Sequence, residues 1–163
     1  MARKKKVNEE VQQQVTNISY RGNITLTIMH GDRKVKTIKA HNNGLQPLFE
    51  YLVHCLAGDF IASKVPSYLR VFNASDVELT YRAIPTTTTI DYVVSSSSAS
   101  VVLSFNVSSS ALRETSNIKK FKIYSRENRD TSSNPSATFD LDNAISITQG
   151  SNLVVAWQMS VSN

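Results

Sequence analysis

From Asn17 onward the chain alternates apolar and polar residues with a period of two. Ile24, Leu26 and Ile28 are separated by Thr25 and Thr27, as a strand requires when one face meets a core and the other meets water. His30-Gly31-Asp32-Arg33 is a turn signal and the apolar residues return over 35–40, so the two runs predict a β-hairpin. The period then changes. Leu45, Leu48, Phe49, Leu52, Val53 and Leu56 recur at three- and four-residue spacing, one stripe of an α-helix. Asn42-Asn43-Gly44 offers capping groups ahead of the stripe, Pro47 suits a first turn, and Gly58 suits a left-handed C-terminal position. One amphipathic helix over about residues 45–57 is therefore expected, lying across a sheet or plugging the end of a barrel.

Beyond Pro66 the alternation resumes, with strands predicted at 68–73, 78–84, 90–94, 100–107, 118–125, 139–141, 144–148 and 152–161. In 100–107, Val101, Leu103, Phe105 and Val107 share one face. In 118–125, Phe121 and Ile123 oppose Lys120, Lys122 and Tyr124. The last run carries Leu153, Val155, Trp157, Met159 and Val161 on one face, after the turn Gln149-Gly150-Ser151. Residues 126–137 read as a long polar loop. Nine or ten short strands, one helix and no βαβ rhythm predict an all-β fold, a β-sandwich of jelly-roll or immunoglobulin-like type. Residues 17–163 form the expected single domain, behind a basic N-terminal arm at 1–16.

Composition strengthens the β reading. Ser, Thr and Asn number 22, 13 and 13 of 163 residues, and their short polar groups compete for backbone hydrogen bonds in helix interiors. Lone Cys55 cannot close an intrachain disulfide, so the fold depends on no oxidising compartment. The apolar stretch 45–57 is too short and too polar to span a bilayer. The opening Met-Ala-Arg-Lys-Lys-Lys has no apolar run behind it, so no secretory signal is expected, and Ala2 excludes N-myristoylation.

The formal charge of +5 is unevenly spread. Arg3, Lys4, Lys5 and Lys6 supply +4 of it, leaving 14 Lys and Arg against 13 Asp and Glu in residues 7–163. The body is electrically balanced and the basicity belongs to the arm. With only Val7 and Val11 as apolar residues up to Gln14, the arm is expected to be disordered until it meets an acidic partner. Four cations give only a modest, salt-sensitive attraction to nucleic acid. Across residues 83–112, by contrast, Asp91 is the only charge. A strand with so few gatekeepers is an aggregation hazard unless it is central in a sheet or covered by a neighbouring subunit. Val101, Leu103, Phe105 and Val107 are thus the candidate oligomer contacts, and a homo-oligomer is expected.

The residues with chemical potential do not assemble into a reaction centre. His54 and Cys55 are adjacent, which on a helix aims them about 100° apart and denies them a nucleophile–base contact. Cys55 reads as a buried small hydrophobe, and His54 as a surface partner of Glu50 one turn earlier. Asp140-Leu141-Asp142-Asn143 lacks the spacing, glycine and distal Glu of a calcium loop and reads as turn chemistry. Asn17, Asn23, Asn73 and Asn106 head glycosylation sequons, about what so much Ser and Thr produces by chance. Tyr20-Arg21, Tyr81-Arg82 and the lysines around Phe121–Tyr124 are the nearest approach to an aromatic and basic nucleic-acid platform. No catalytic residue, cofactor site or metal site is expected.

Two segments bear a family likeness. His41-Asn42-Asn43-Gly44-Leu45 running into Leu48-Phe49-Glu50-Tyr51-Leu52 and Cys55-Leu56-Ala57-Gly58-Asp59-Phe60 resembles small structural proteins of tailed bacteriophages such as the crAss-like phages. So does the ending Ile147-Thr148-Gln149-Gly150-Ser151-Asn152-Leu153 with Val155-Ala156-Trp157-Gln158-Met159. The resemblance implies a non-enzymatic virion component, made in the host cytoplasm, whose partners are capsid, collar or tail proteins. Capsid decoration or head-fibre attachment is the expected role, with a tail or collar adaptor or a carbohydrate-binding adhesin as alternatives. An adhesin needs an exposed aromatic platform, and a shallow groove carrying Tyr81 or Tyr124 would favour it.

Overall fold

A computed structural model describes residues 19–44, 50–51, 54, 58–59, 61–87, 91–94, 98–130 and 134–162. They form nine strands in two antiparallel sheets. The predicted hairpin is present as β1 (Ser19–His30) and β2 (Arg33–Gly44). His30 pairs with Arg33, so the loop is Gly31-Asp32, and the positive φ of 57° at Gly31 is the conformation that glycine supplies in a two-residue turn. β3 (Pro66–Phe72), β4 (Ile84–Pro85), β5 (Asp91–Val94), β6 (Ser98–Ser108), β7 (Ile118–Ser125), β8 (Ala137–Ile145) and β9 (Ser151–Ser162) follow.

The strand order is β4-β3-β7-β8-β2-β1-β9-β6-β5. β2 belongs to both sheets: Arg33 to Asn42 pair with β1, while Asn43 and Gly44 pair with Thr138 and Ala137 of β8. A strand that changes partners along its length turns the corner between the sheets. A single apolar cluster draws on both. Ile24, Leu26, Leu103, Phe105, Leu153 and Trp157 come from one sheet, and Leu69, Val71, Phe121, Ile123 and Phe139 from the other. Period two places these residues on one face of their strands, and burial of each large side chain stabilises by about 1.5–3 kcal/mol before entropy is counted.

Three expectations change. Residues 78–84 do not form one strand: Glu78 bridges Phe72, Thr80 bridges Leu112, and only Ile84–Pro85 forms a ladder with β3. The segment instead threads between the end of β3 and the loop after β6, which its Glu78-Leu79-Thr80 alternation alone does not reveal. Residues 139–141 and 144–148 are not two strands with an Asp-rich turn between them. β8 runs continuously from Ala137 to Ile145, and the register shift opposite Ile118 and Lys120 takes up the extra residues as a bulge. Tyr124 is fully buried on the side of β7 it shares with Lys120 and Lys122, so it offers no ring to the shallow groove that an adhesin would use. Of the expected helix, Glu50, Tyr51 and His54 have helical backbone and the rest of 45–57 lies outside the described residues, Cys55 included. Among the described residues no helix is long and apolar enough to cross a membrane.

Candidate functional site

The segment that departs from the strand pattern builds a groove. Backbone bonds from Tyr81 N to Ala111 O (3.1 Å) and from Arg113 N to Leu79 O (2.7 Å) hold residues 79–81 against the loop after β6. Tyr68 and Arg70, projecting from β3, form a second wall, and Arg129 and Asp130 close the third side. The space between these walls, open to solvent on one side, is about 450 Å³.

The groove contains four guanidinium groups and two carboxylates. Arg70 grips Glu78 bidentately, with Nε donating to Oε1 at 2.7 Å and Nη2 to Oε2, and Thr80 Oγ1 adds a bond to Oε1 at 2.6 Å. Burial works to raise the Glu78 pKa, but the bonds from Arg70 and Thr80 outweigh it and hold the carboxyl below its ordinary range. Glu78 in turn raises the pKa of Arg70 against a smaller opposing effect of burial. The Arg70 guanidinium also lies 5.3 Å from the ring centroid of buried Tyr124, whose hydroxyl pKa is pushed up by burial. Arg129 donates from Nε to Asp130 Oδ2 at 2.9 Å, and this bond, followed by one to Tyr68, raises its pKa.

Arg82 and Arg113 are different. Neither forms an ion pair with a carboxylate among the described residues. Arg113 instead stacks over the ring of Tyr81, its Cζ 5.6 Å from the centroid, while Tyr81 is 61% exposed. Stacking uses the face of a guanidinium and leaves its N–H edge available. Of the pairs noted in the sequence, Tyr81-Arg82 thus sits in a groove. Its other members come from positions 68, 70, 78, 113, 129 and 130, and no local spacing signals that they meet.

Lys120 and Lys122 do not form a free basic platform. Both reach exposed Asp76, at 2.6 and 3.1 Å from Oδ2 and Oδ1. Asp76 sits in a turn that Asn73 organises by accepting from Ser75 N and Val77 N. Hydrogen bonds from Lys120 and then Lys122 lower the Asp76 pKa, and the same contact raises that of Lys120.

The other sequence candidates are placed as follows. Arg3, Lys4, Lys5 and Lys6 lie outside the described residues, as does most of the predicted helix. Leu103, Phe105 and Val107 of β6 are 2%, 0% and 0% exposed and Val101 is partly buried, so these four side chains pack in or against the chain's own core. β6 lies between β9 and β5 in the strand order, in keeping with the central position its uncharged sequence suggested. His54 contacts Asp59 (Nδ1 to Oδ2, 3.1 Å) and His41 contacts Asn23 (2.8 Å). His30 Nδ1 lies 3.1 Å from Ser151 Oγ, which also bonds Thr148 Oγ1 at 2.7 Å. That contact clips the paired ends of β1 and β9, and Ser151 is too buried to offer its oxygen to a substrate. Among the described residues no three His, Cys, Asp or Glu side chains are grouped to hold a metal ion. Asp140, Asp142 and Asn143 are spread along the exposed side of β8. No family model, no curated protein and no solved structure matches the chain.

Proposed function

We propose that the chain is a non-enzymatic structural protein of a tailed-bacteriophage particle, a jelly-roll-type β-sandwich that decorates a capsid or anchors a head fibre. One observation carries the assembly part of this reading. Among the described residues β5 ends the strand order with only β6 beside it, and its residues Asp91-Tyr92-Val93-Val94 include one charge, Asp91, and no Lys, Glu or Pro. Edge strands of free-standing monomers usually carry such residues to refuse a partner. The opposite edge, β4, is two residues long and contains Pro85, so it is already blunted. Association through one open edge is isologous and closes as a dimer rather than growing into a fibre.

The basic arm supplies the second attachment in this reading, on an acidic surface of the shell. A lattice of such sites then strengthens weak contacts by raising effective concentration. The titrating groups support a role in binding rather than proton transfer. In the groove, Glu78 is displaced downward and Arg70 and Arg129 upward, all away from neutrality, whereas general acid–base catalysis tunes pKa values toward it.

Light scattering on the purified chain should give a dimer mass, and Val93→Lys should give a monomer with an unchanged β-sheet circular dichroism spectrum. A mass that the substitution does not alter would overturn the edge assignment. Quantitative mass spectrometry of gradient-purified phage particles should find the chain at a constant ratio to the shell protein. Its absence from such particles would overturn the virion role.

A second reading, a carbohydrate-binding adhesin module, is favoured by the exposed ring of Tyr81 at the groove. Neutral and charged oligosaccharides titrated into the chain test it directly.

A further inference from the structure

We infer that the groove between Tyr68, Tyr81 and Arg113 is a binding site for an acidic saccharide, a sugar bearing a ring carboxylate. The inference rests on the adhesin reading and names its ligand. Two features of the groove specify the chemistry.

The first is the unequal treatment of the arginines. Arg70 and Arg129 are each held by a carboxylate of the chain, through hydrogen bonds of 2.7 and 2.9 Å at their Nε atoms. Arg82 and Arg113 line the same space without a hydrogen-bonded carboxylate among the described residues, the Arg113 charge acting on Glu78 only through space. A guanidinium presents a planar fork of donors that matches a carboxylate, so the groove holds two receptors of the kind its own Glu78 and Asp130 already satisfy elsewhere. The second is the ring of Tyr81, 61% exposed, with Arg113 stacked 5.6 Å from its centroid. An exposed tyrosine offers flat apolar area at low entropic cost, suited to the C–H face of a pyranose. The stacked guanidinium fixes where the sugar's carboxylate meets a charge. The volume of about 450 Å³ falls in the range of small-ligand sites.

An acidic peptide meets the charges less well at this place. Peptides bind sheet edges by extending the hydrogen-bond ladder. The edge beside the groove is β4, where the ladder is two residues long and Pro85 has no N–H to give.

The experiment is isothermal titration of the full chain at physiological salt with trigalacturonic acid, galactotriose and pentaglutamate as separate probes. Trigalacturonic acid should bind with Kd of about 1 mM or tighter. Galactotriose should bind at least about tenfold more weakly, and so should pentaglutamate. Arg82→Ala with Arg113→Ala, and separately Tyr81→Ala, should each weaken trigalacturonate about tenfold or more while leaving the thermal transition in place. All three side chains are exposed, so folding does not depend on them. Equal binding of galactotriose would overturn the acidic specificity and keep the adhesin reading. Equal or tighter binding of pentaglutamate would replace the saccharide with an acidic peptide. Binding unmoved by either variant would put the site elsewhere, and absence of binding by both saccharides would overturn the inference and the adhesin reading together.

Discussion

Leu103 and Trp157 stand directly opposite each other across the β6–β9 ladder, and neither is more than 2% exposed. Trp157 also faces Ile24 across the β1–β9 ladder, so one tryptophan ties three strands of a sheet to the common core. Cross-strand pairs of this kind are the unit of sheet stabilisation, and an aromatic opposite an aliphatic is a favourable case. Replacing Trp157 with Ala should cost about 3–5 kcal/mol, read as a shift in the urea midpoint at unchanged slope.

Leu103→Lys and Val101→Lys should separate sharply, although the two residues share a face of β6. A lysine at Leu103 buries an unpaired ammonium in the wall around Trp157 and should destabilise by more than about 4 kcal/mol, leaving little soluble folded protein. Val101 is only partly buried at the margin of the cluster. A lysine there can extend its stem along the core and keep its charge in water, so a cost of about 1 kcal/mol is expected. Circular dichroism and the yield of soluble protein distinguish the two. Equal damage would show that the whole face of β6 is closed.

Glu78→Gln should weaken the fold by about 2 kcal/mol, because it leaves the partly buried Arg70 guanidinium with one charged partner fewer. The pH dependence has a definite sign. The folded-state pKa of Glu78 is depressed, so its contribution is complete above the unfolded value of about 4.3 and is lost as pH falls through the lower folded value. Wild-type stability should therefore drop more steeply than that of Glu78→Gln between about pH 5 and pH 2, with the two curves converging at the acid end. Asp76 acts in the same direction, but its exposure and salt screening keep its share small.

How much of this was legible from residues alone depends on how far each feature reaches along the chain. The β1–β2 hairpin was legible because its evidence lies within about twenty residues: alternation on both sides of a glycine turn. β9 was legible because Leu153, Val155, Trp157, Met159 and Val161 alternate at spacing two, and β7 because Phe121 and Ile123 alternate with lysines. The course of residues 78–84 was not, because Glu78, Thr80 and Ile84 each bond to a different partner and only the last does so as a strand. The continuity of β8 was hidden by Asp142-Asn143, residues that ordinarily mark a turn and here occupy a bulge. The groove was least legible. Its arginines stand at positions 70, 82, 113 and 129, and tertiary pairing alone brings them together. Tyr81-Arg82 was the one local signal, and it pointed to nucleic acid as readily as to sugar.

Gly31→Ala isolates the backbone requirement of the hairpin. A β-carbon at Gly31 would meet no atom within 4 Å, so the substitution adds no clash and only the φ of 57° opposes it. The cost should be about 1–2 kcal/mol, the ordinary preference of L-residues against that region. A Gly31→Asn variant should recover part of it, since asparagine tolerates left-handed backbone better than alanine. Thermal unfolding of the three proteins provides the ranking Gly, Asn, Ala. A different order would mean that the turn relaxes to another type when its glycine is removed.

Deleting residues 1–14 tests whether the cationic arm attaches the body or helps to fold it. The described core draws on residues from Ile24 onward, and β1 begins at Ser19, so the deletion removes none of the described strands. Unfolding by urea should therefore stay within about 0.5 kcal/mol of the full chain. Attachment to phage particles should fall, and the loss should be greatest at low salt, where the four charges at Arg3, Lys4, Lys5 and Lys6 act most strongly. Neutralising those four residues with Gln in the full chain should reproduce the loss. A deletion that abolishes folding would make the arm part of the domain. A deletion that spares both folding and attachment would leave the β5 edge as the sole means of assembly.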